Sequence, residues 1–131
     1  MTTTAAAAGI RRHAGTYPAE PRQVGLARAA LAGWLGGGPQ ADEAVLVASE
    51  FATNAVLHSA SRHGGAFTLR AEVRQDHLRI EVEDAGGPWR DGLRHDGRPH
   101  GFDVVTAIAG AGNWGIDGDD GGRVAWARLG G

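Results

Sequence analysis

The chain predicts one α/β domain: a two-layer sandwich in which a mixed, mostly antiparallel sheet carries helices on one face. Three observations point there. Apolar residues recur at helical spacing through 22–35 and again through 42–58. The period then switches to strict alternation over 67–74 and 78–82. The resulting order is a helix pair, a hairpin, a glycine-rich loop, a third helix and a second hairpin. A length of 131 residues suits a single domain, and 42% hydrophobic residues suffice for an ordinary core.

Residues 1–9 are small or polar with nothing to pack, and read as a disordered tail ahead of a domain spanning 10–131. Residues 10–17 suit a short strand, which Pro18 and Pro21 end. Pro21 fits the first turn of a helix whose stripe is Val24, Ala27, Leu31, Trp34 and Leu35. The Gly36-Gly37-Gly38-Pro39 run stops it. Asp42 is placed to cap a second helix to about His58, with Val45, Ala48, Ala52, Ala55 and Val56 inward. After a loop at 59–65, Phe67, Leu69, Ala71 and Val73 share one strand face, and Leu78, Ile80 and Val82 continue it across a short connection. Residues 85–100 are rich in Gly, Pro, Arg, His and Asp, a loop composition. A third helix fits 101–109, with strands near 113–117 and 123–129.

Composition excludes several chemistries. The formal charge is -2 and all thirteen basic residues are Arg. That disfavours direct nucleic-acid binding and removes Schiff-base and phosphate-loop lysines. With no Cys there is no disulfide framework, thiol nucleophile or thiolate zinc site. No apolar run spans a membrane and the start is no signal peptide, so a cytoplasmic location is expected. Gly110-Ala111-Gly112-Asn113-Trp114-Gly115 matches a dinucleotide fingerprint, but a helix precedes it and a strand follows, the reverse of what pyrophosphate binding needs. Asp117-Gly118-Asp119-Asp120 has Gly121 and Arg128 where a calcium loop needs ligands, and reads as a hairpin turn.

Two places carry chemistry. If Leu78, Ile80 and Val82 face the core, strand parity puts Asp84 on that face too, where a carboxylate needs a partner. Either the strand stops at Val82 and Asp84 opens a turn, or Asp84 lines a pocket floor and accepts a hydrogen bond from a ligand amine, with Gly86 and Gly87 admitting a flat ring. On the second helix, Glu50 and Asn54 lie four residues apart and share a face that His58 extends. Either that face is solvated, or Asn54, set among Phe51, Ala52, Ala55 and Val56, serves a site.

Together these segments resemble the GHKL ATPase superfamily (Bergerat fold), and more narrowly the small bacterial anti-sigma-factor serine kinases of the RsbW type. Glu50-Phe51-Ala52-Thr53-Asn54-Ala55-Val56-Leu57-His58 is similar to that family's N-box. Val82-Glu83-Asp84-Ala85-Gly86-Gly87-Pro88 resembles the first glycine box. His100-Gly101-Phe102-Asp103-Val104-Val105 resembles the second, with Trp114-Gly115 and a closing strand after it. The likeness covers roughly residues 17–129. Pro99 stands where the second box usually has its first Gly, and Arg123 stands near a Thr that many members carry.

The resemblance implies a site. Asn54 would bind Mg²⁺, and Glu50, ionised at neutral pH with an ordinary carboxyl pKa, would activate a hydroxyl. Asp84 would accept the adenine amino group, with Gly86 and Gly87 making room. His100 and Gly101 would hold phosphate at the start of the third helix. Residues 88–100 become an ATP lid, with Arg90, Arg94 and Arg98 as phosphate contacts. The implied function is an ATP- and Mg²⁺-dependent serine/threonine kinase that phosphorylates a STAS-type anti-sigma antagonist, with a sigma factor and a second copy of the chain as further partners. The alternative is a non-catalytic module of the same fold that sequesters a regulatory partner.

Overall fold

The computed structural model describes residues 4–5, 9–58, 63–86, 102–119 and 121–130. In chain order the elements are β1 (Thr4–Ala5), β2 (Arg11–Pro18), α1 (Pro21–Leu35), α2 (Pro39–His58), β3 (Ala66–Val73), β4 (Leu78–Asp84), α3 (Phe102–Ala109), β5 (Trp114–Asp119) and β6 (Gly122–Leu129). The six strands form one sheet in the order β1-β2-β3-β4-β6-β5. All the ladders among the described residues are antiparallel, which is the antiparallel limit of the mixed sheet expected.

Alternation decides which sheet face is buried. Leu69 and Ala71 on β3 pair across to Val82 and Ile80 on β4, which pair in turn with Ala125 and Ala127 on β6, and Phe67 shares their face. All are 5% exposed or less. The intervening positions hold charges on the open face, where Arg12 and Arg74 both reach Glu72 and Arg79 reaches Glu81. Such exposed pairs contribute only about 0–1 kcal/mol each.

The helices cover the apolar face. Pro21 opens α1 with its fixed φ, and Val24, Ala27 and Leu31 form the buried stripe. Gly36 ends it at φ +86, a left-handed conformation that lets its N–H close on the Ala32 carbonyl at 3.0 Å. Helix α2 starts at Pro39, three residues ahead of the expected Asp42 cap. The preceding glycines allow the chain to reverse at once, and Pro39 supplies a helical φ, so Asp42 sits inside the first turn where it complements the helix dipole. Helix α2 is the central helix, packed against α1, α3 and strands β3, β4 and β6. Its buried stripe adds Ala41, Ala44, Val47 and Phe51 to the expected Ala48, Ala52, Ala55 and Val56, while Val45, expected inward, is half-buried.

One departure lies at the start of the chain. Thr4–Ala5, expected within a disordered tail, pair antiparallel with Arg12 and Arg11. The edge of β2 offers unpaired backbone groups, and small residues satisfy them without needing a core.

Candidate functional site

Asp84 is the last residue of β4, on the same face as Leu78, Ile80 and Val82. It is 8% exposed, so the strand runs past Val82 and carries a carboxylate into the buried layer. The turn alternative fails there. One partner is local: the Gly86 N–H donates to Asp84 Oδ1 at 2.7 Å. Gly86 has φ +77, so the backbone can fold back onto the carboxylate at little steric cost. Burial pushes the Asp84 carboxyl up to about 6, opposed by the Gly86 hydrogen bond and the positive charge of Arg123, while Glu83 pushes it further up. Arg123 lies directly opposite Asp84 in the β4–β6 ladder.

Asn54 is 3% exposed in the middle of α2. Its Nδ2 donates to the Glu50 backbone carbonyl at 2.9 Å, which commits the amide nitrogen to the helix and turns Oδ1 away from that carbonyl. Glu50, one turn earlier, is half-buried, and burial raises its carboxyl above the usual range. This corrects the expectation of an ordinary pKa there: the helix packs too closely on its neighbours to leave Glu50 fully hydrated.

Packing brings the second helix and the start of the third together. Phe51, between Glu50 and Asn54, meets the Phe102 ring edge-on at 5.8 Å. Phe102 opens α3 and meets Trp114 of β5 at 5.0 Å. The Trp114 Nε1–H donates to Thr106 Oγ1 at 2.8 Å, and that hydroxyl donates to the Phe102 carbonyl at 3.0 Å. The first turn of α3 is therefore held between α2 and β5. Sequence reasoning missed this cluster, whose members look like ordinary helix-face and strand residues until the packing joins them.

The expected site residues divide cleanly. Glu50, Asn54, Asp84 and Gly86 stand on α2 and at the end of β4, two elements packed against each other. Gly87, His100 and Gly101 lie outside the described residues, as does the loop 88–100 with Arg90, Arg94 and Arg98. His58 ends α2.

Glu50, Asn54, Asp84 and Gly86 all lie within residues 17–121, which match the histidine kinase-like ATPase domain, and the chain belongs to that family. Among solved structures, it is similar to the RsbU and RsbW domains of Rv1364c from Mycobacterium tuberculosis, with 22% identity and a TM-score of 0.70. That match covers 90% of this chain and 32% of the other, so this chain spans about a third of that one. The likeness establishes the fold. A search of curated proteins finds no match. No helix among the described residues is long and apolar enough to cross a membrane.

Proposed function

We propose that the chain is an ATP-binding regulatory protein kinase that transfers phosphate to a serine or threonine of an anti-sigma antagonist of the STAS type. Asp84 carries the reading. A buried carboxylate on the apolar face of a sheet is costly unless something uses it, and an acceptor beside a glycine turn suits the exocyclic amine of adenine. Guanine offers a carbonyl where adenine offers that amine, so GTP is expected to compete poorly.

The residues present fit a divalent cation. An amide oxygen is a hard, neutral ligand, and in Asn54 it is the nitrogen, Nδ2, that donates to the Glu50 carbonyl. Mg²⁺ held by Asn54 would neutralise phosphate charge. Glu50 is one turn away, and its raised carboxyl makes it a stronger base than a surface Glu. Its part is to take the proton from the attacking hydroxyl. Gly87, His100 and Gly101 complete the proposed nucleotide contacts, and a sigma factor and a second copy of the chain are the proposed further partners in the cytoplasm.

The test is phosphotransfer from radiolabelled ATP to a STAS-type antagonist. Glu50→Ala is expected to keep Mg-ATP binding while cutting transfer by about 10²–10⁴-fold. Asn54→Ala is expected to lose both. Wild type that binds Mg-ATP but labels no antagonist would instead support a binding module that sequesters its partner.

A further inference from the structure

Arg123 is half-buried at the start of β6, the strand between β4 and β5. On one side its cross-strand neighbour is Asp84; on the other it is Gly118, which has no side chain. Directly opposed residues of an antiparallel pair share a sheet face. Asp84 is thus the residue that stands opposite Arg123 across the ladder, near enough for the positive charge of Arg123 to favour the ionised carboxylate. We propose that Arg123 is a positioning residue for base recognition: standing across the ladder from Asp84, it supplies the positive charge that holds that carboxylate as an acceptor for an exocyclic amine.

The surrounding charges make Arg123 matter. Beside it, the groups acting on Asp84 are the Gly86 N–H and the Glu83 carboxylate, and Glu83 works against ionisation, as burial does. The helices packed over this part of the sheet carry no Lys or Arg. The ionisable residues of α2 are Asp42, Glu43, Glu50 and the terminal His58 and that of α3 is Asp103, while β5, paired with β6, has Asp117 and Asp119 on either side of Gly118. With Asp84 titrating near 6 even in the presence of Arg123, loss of that cation moves the titration toward neutrality, where a protonated carboxyl donates instead of accepting. Strand parity puts Asp84 on the buried face, but its pairing with Arg123, 39 residues on, is set by the fold and not by local sequence.

This inference rests on the nucleotide reading above, and two measurements separate them. The first follows the Asp84 carboxyl carbon by NMR from pH 4 to 8 in the nucleotide-free chain, for wild type, Arg123→Gln and Arg123→Lys. Arg123→Gln is expected to titrate at higher pH, and Arg123→Lys close to wild type. The second is Mg-ATP affinity of the same variants across that range. For an upward move of one pH unit, Arg123→Gln loses about threefold in affinity at pH 6.5 and almost nothing at pH 8, with Arg123→Lys rescuing it. An Asp84 titration unchanged in Arg123→Gln overturns the proposal, and so does an affinity loss equal at every pH. If Asp84 moves as expected but wild type binds no adenine nucleotide, the charge coupling stands and the nucleotide reading falls.

Discussion

In the folded chain Asp84 titrates near 6, while in the unfolded chain it returns to the ordinary Asp range. The folded state therefore binds this proton more tightly. Its stabilising contribution is full below the unfolded value and is lost as pH rises through about 6. Asp84→Asn removes the charge but keeps an acceptor for the Gly86 N–H. Nucleotide-free Asp84→Asn is expected to melt higher than wild type at pH 7.5, by up to about 3 kcal/mol of stability, with the gain gone near pH 4. Nucleotide affinity should fall by about 1–3 kcal/mol, since a charge-assisted hydrogen bond is lost. Thermal melts across pH and calorimetry check both arms. His13 behaves with the opposite sign. It stacks on Trp34 at 5.3 Å, and both ring nitrogens are buried with no hydrogen-bond partner among the described residues. Burial lowers its pKa, so its contribution is present above about 6.5 and is lost as pH falls through the folded value. His13→Phe keeps the ring stack, and its melting temperature is expected to change less than that of wild type between pH 7 and 5.

At the scale of elements, a hydrogen-bonded relay and an aromatic contact chain help to hold α3, beside the burial of Val105. Trp114→Phe retains a ring against Phe102 but deletes the N–H that Thr106 accepts. The expected cost is about 0.5–1.5 kcal/mol, with faster amide exchange concentrated in Phe102–Ala109. Uniform loss of protection across the sheet would instead mean that the contact serves global packing. Element existence was legible because period is a local property: the alternation at Phe67, Leu69 and Ala71 can only build a half-buried strand. Element ends were less so. Pro39 and the glycines before it set the start of α2 earlier than Asp42, because a reversal followed by a pre-set φ nucleates the helix before a side-chain cap is needed. The raised Glu50 carboxyl and the Phe51–Phe102–Trp114 cluster were not legible at all. Both depend on which elements pack together, and residues 51 and 114 have no local relation in the chain.

Across the whole molecule, one packed layer does two jobs. Leu31, Phe51, Ile80 and Val105 supply the apolar burial, each at 2% exposure or less. Leu31→Ala is expected to cost about 2–5 kcal/mol, read as a lower denaturant midpoint with unchanged slope. The same layer holds Asn54 and Asp84, the buried polar and charged residues among those described. Placing both in the core layer costs stability, and a ligand that engages them would return it. A nucleotide binding only the folded state should raise the melting temperature with concentration, by about 2.7 kcal/mol at a hundredfold excess over Kd. The most direct measurement is a calorimetric titration of the chain with Mg-ATP, run beside Asp84→Asn and Mg-GTP. Saturable binding of Mg-ATP, weakened in Asp84→Asn and poorly matched by Mg-GTP, is the expected result. No heat with Mg-ATP and no displacement of a fluorescent ATP analogue would contradict it.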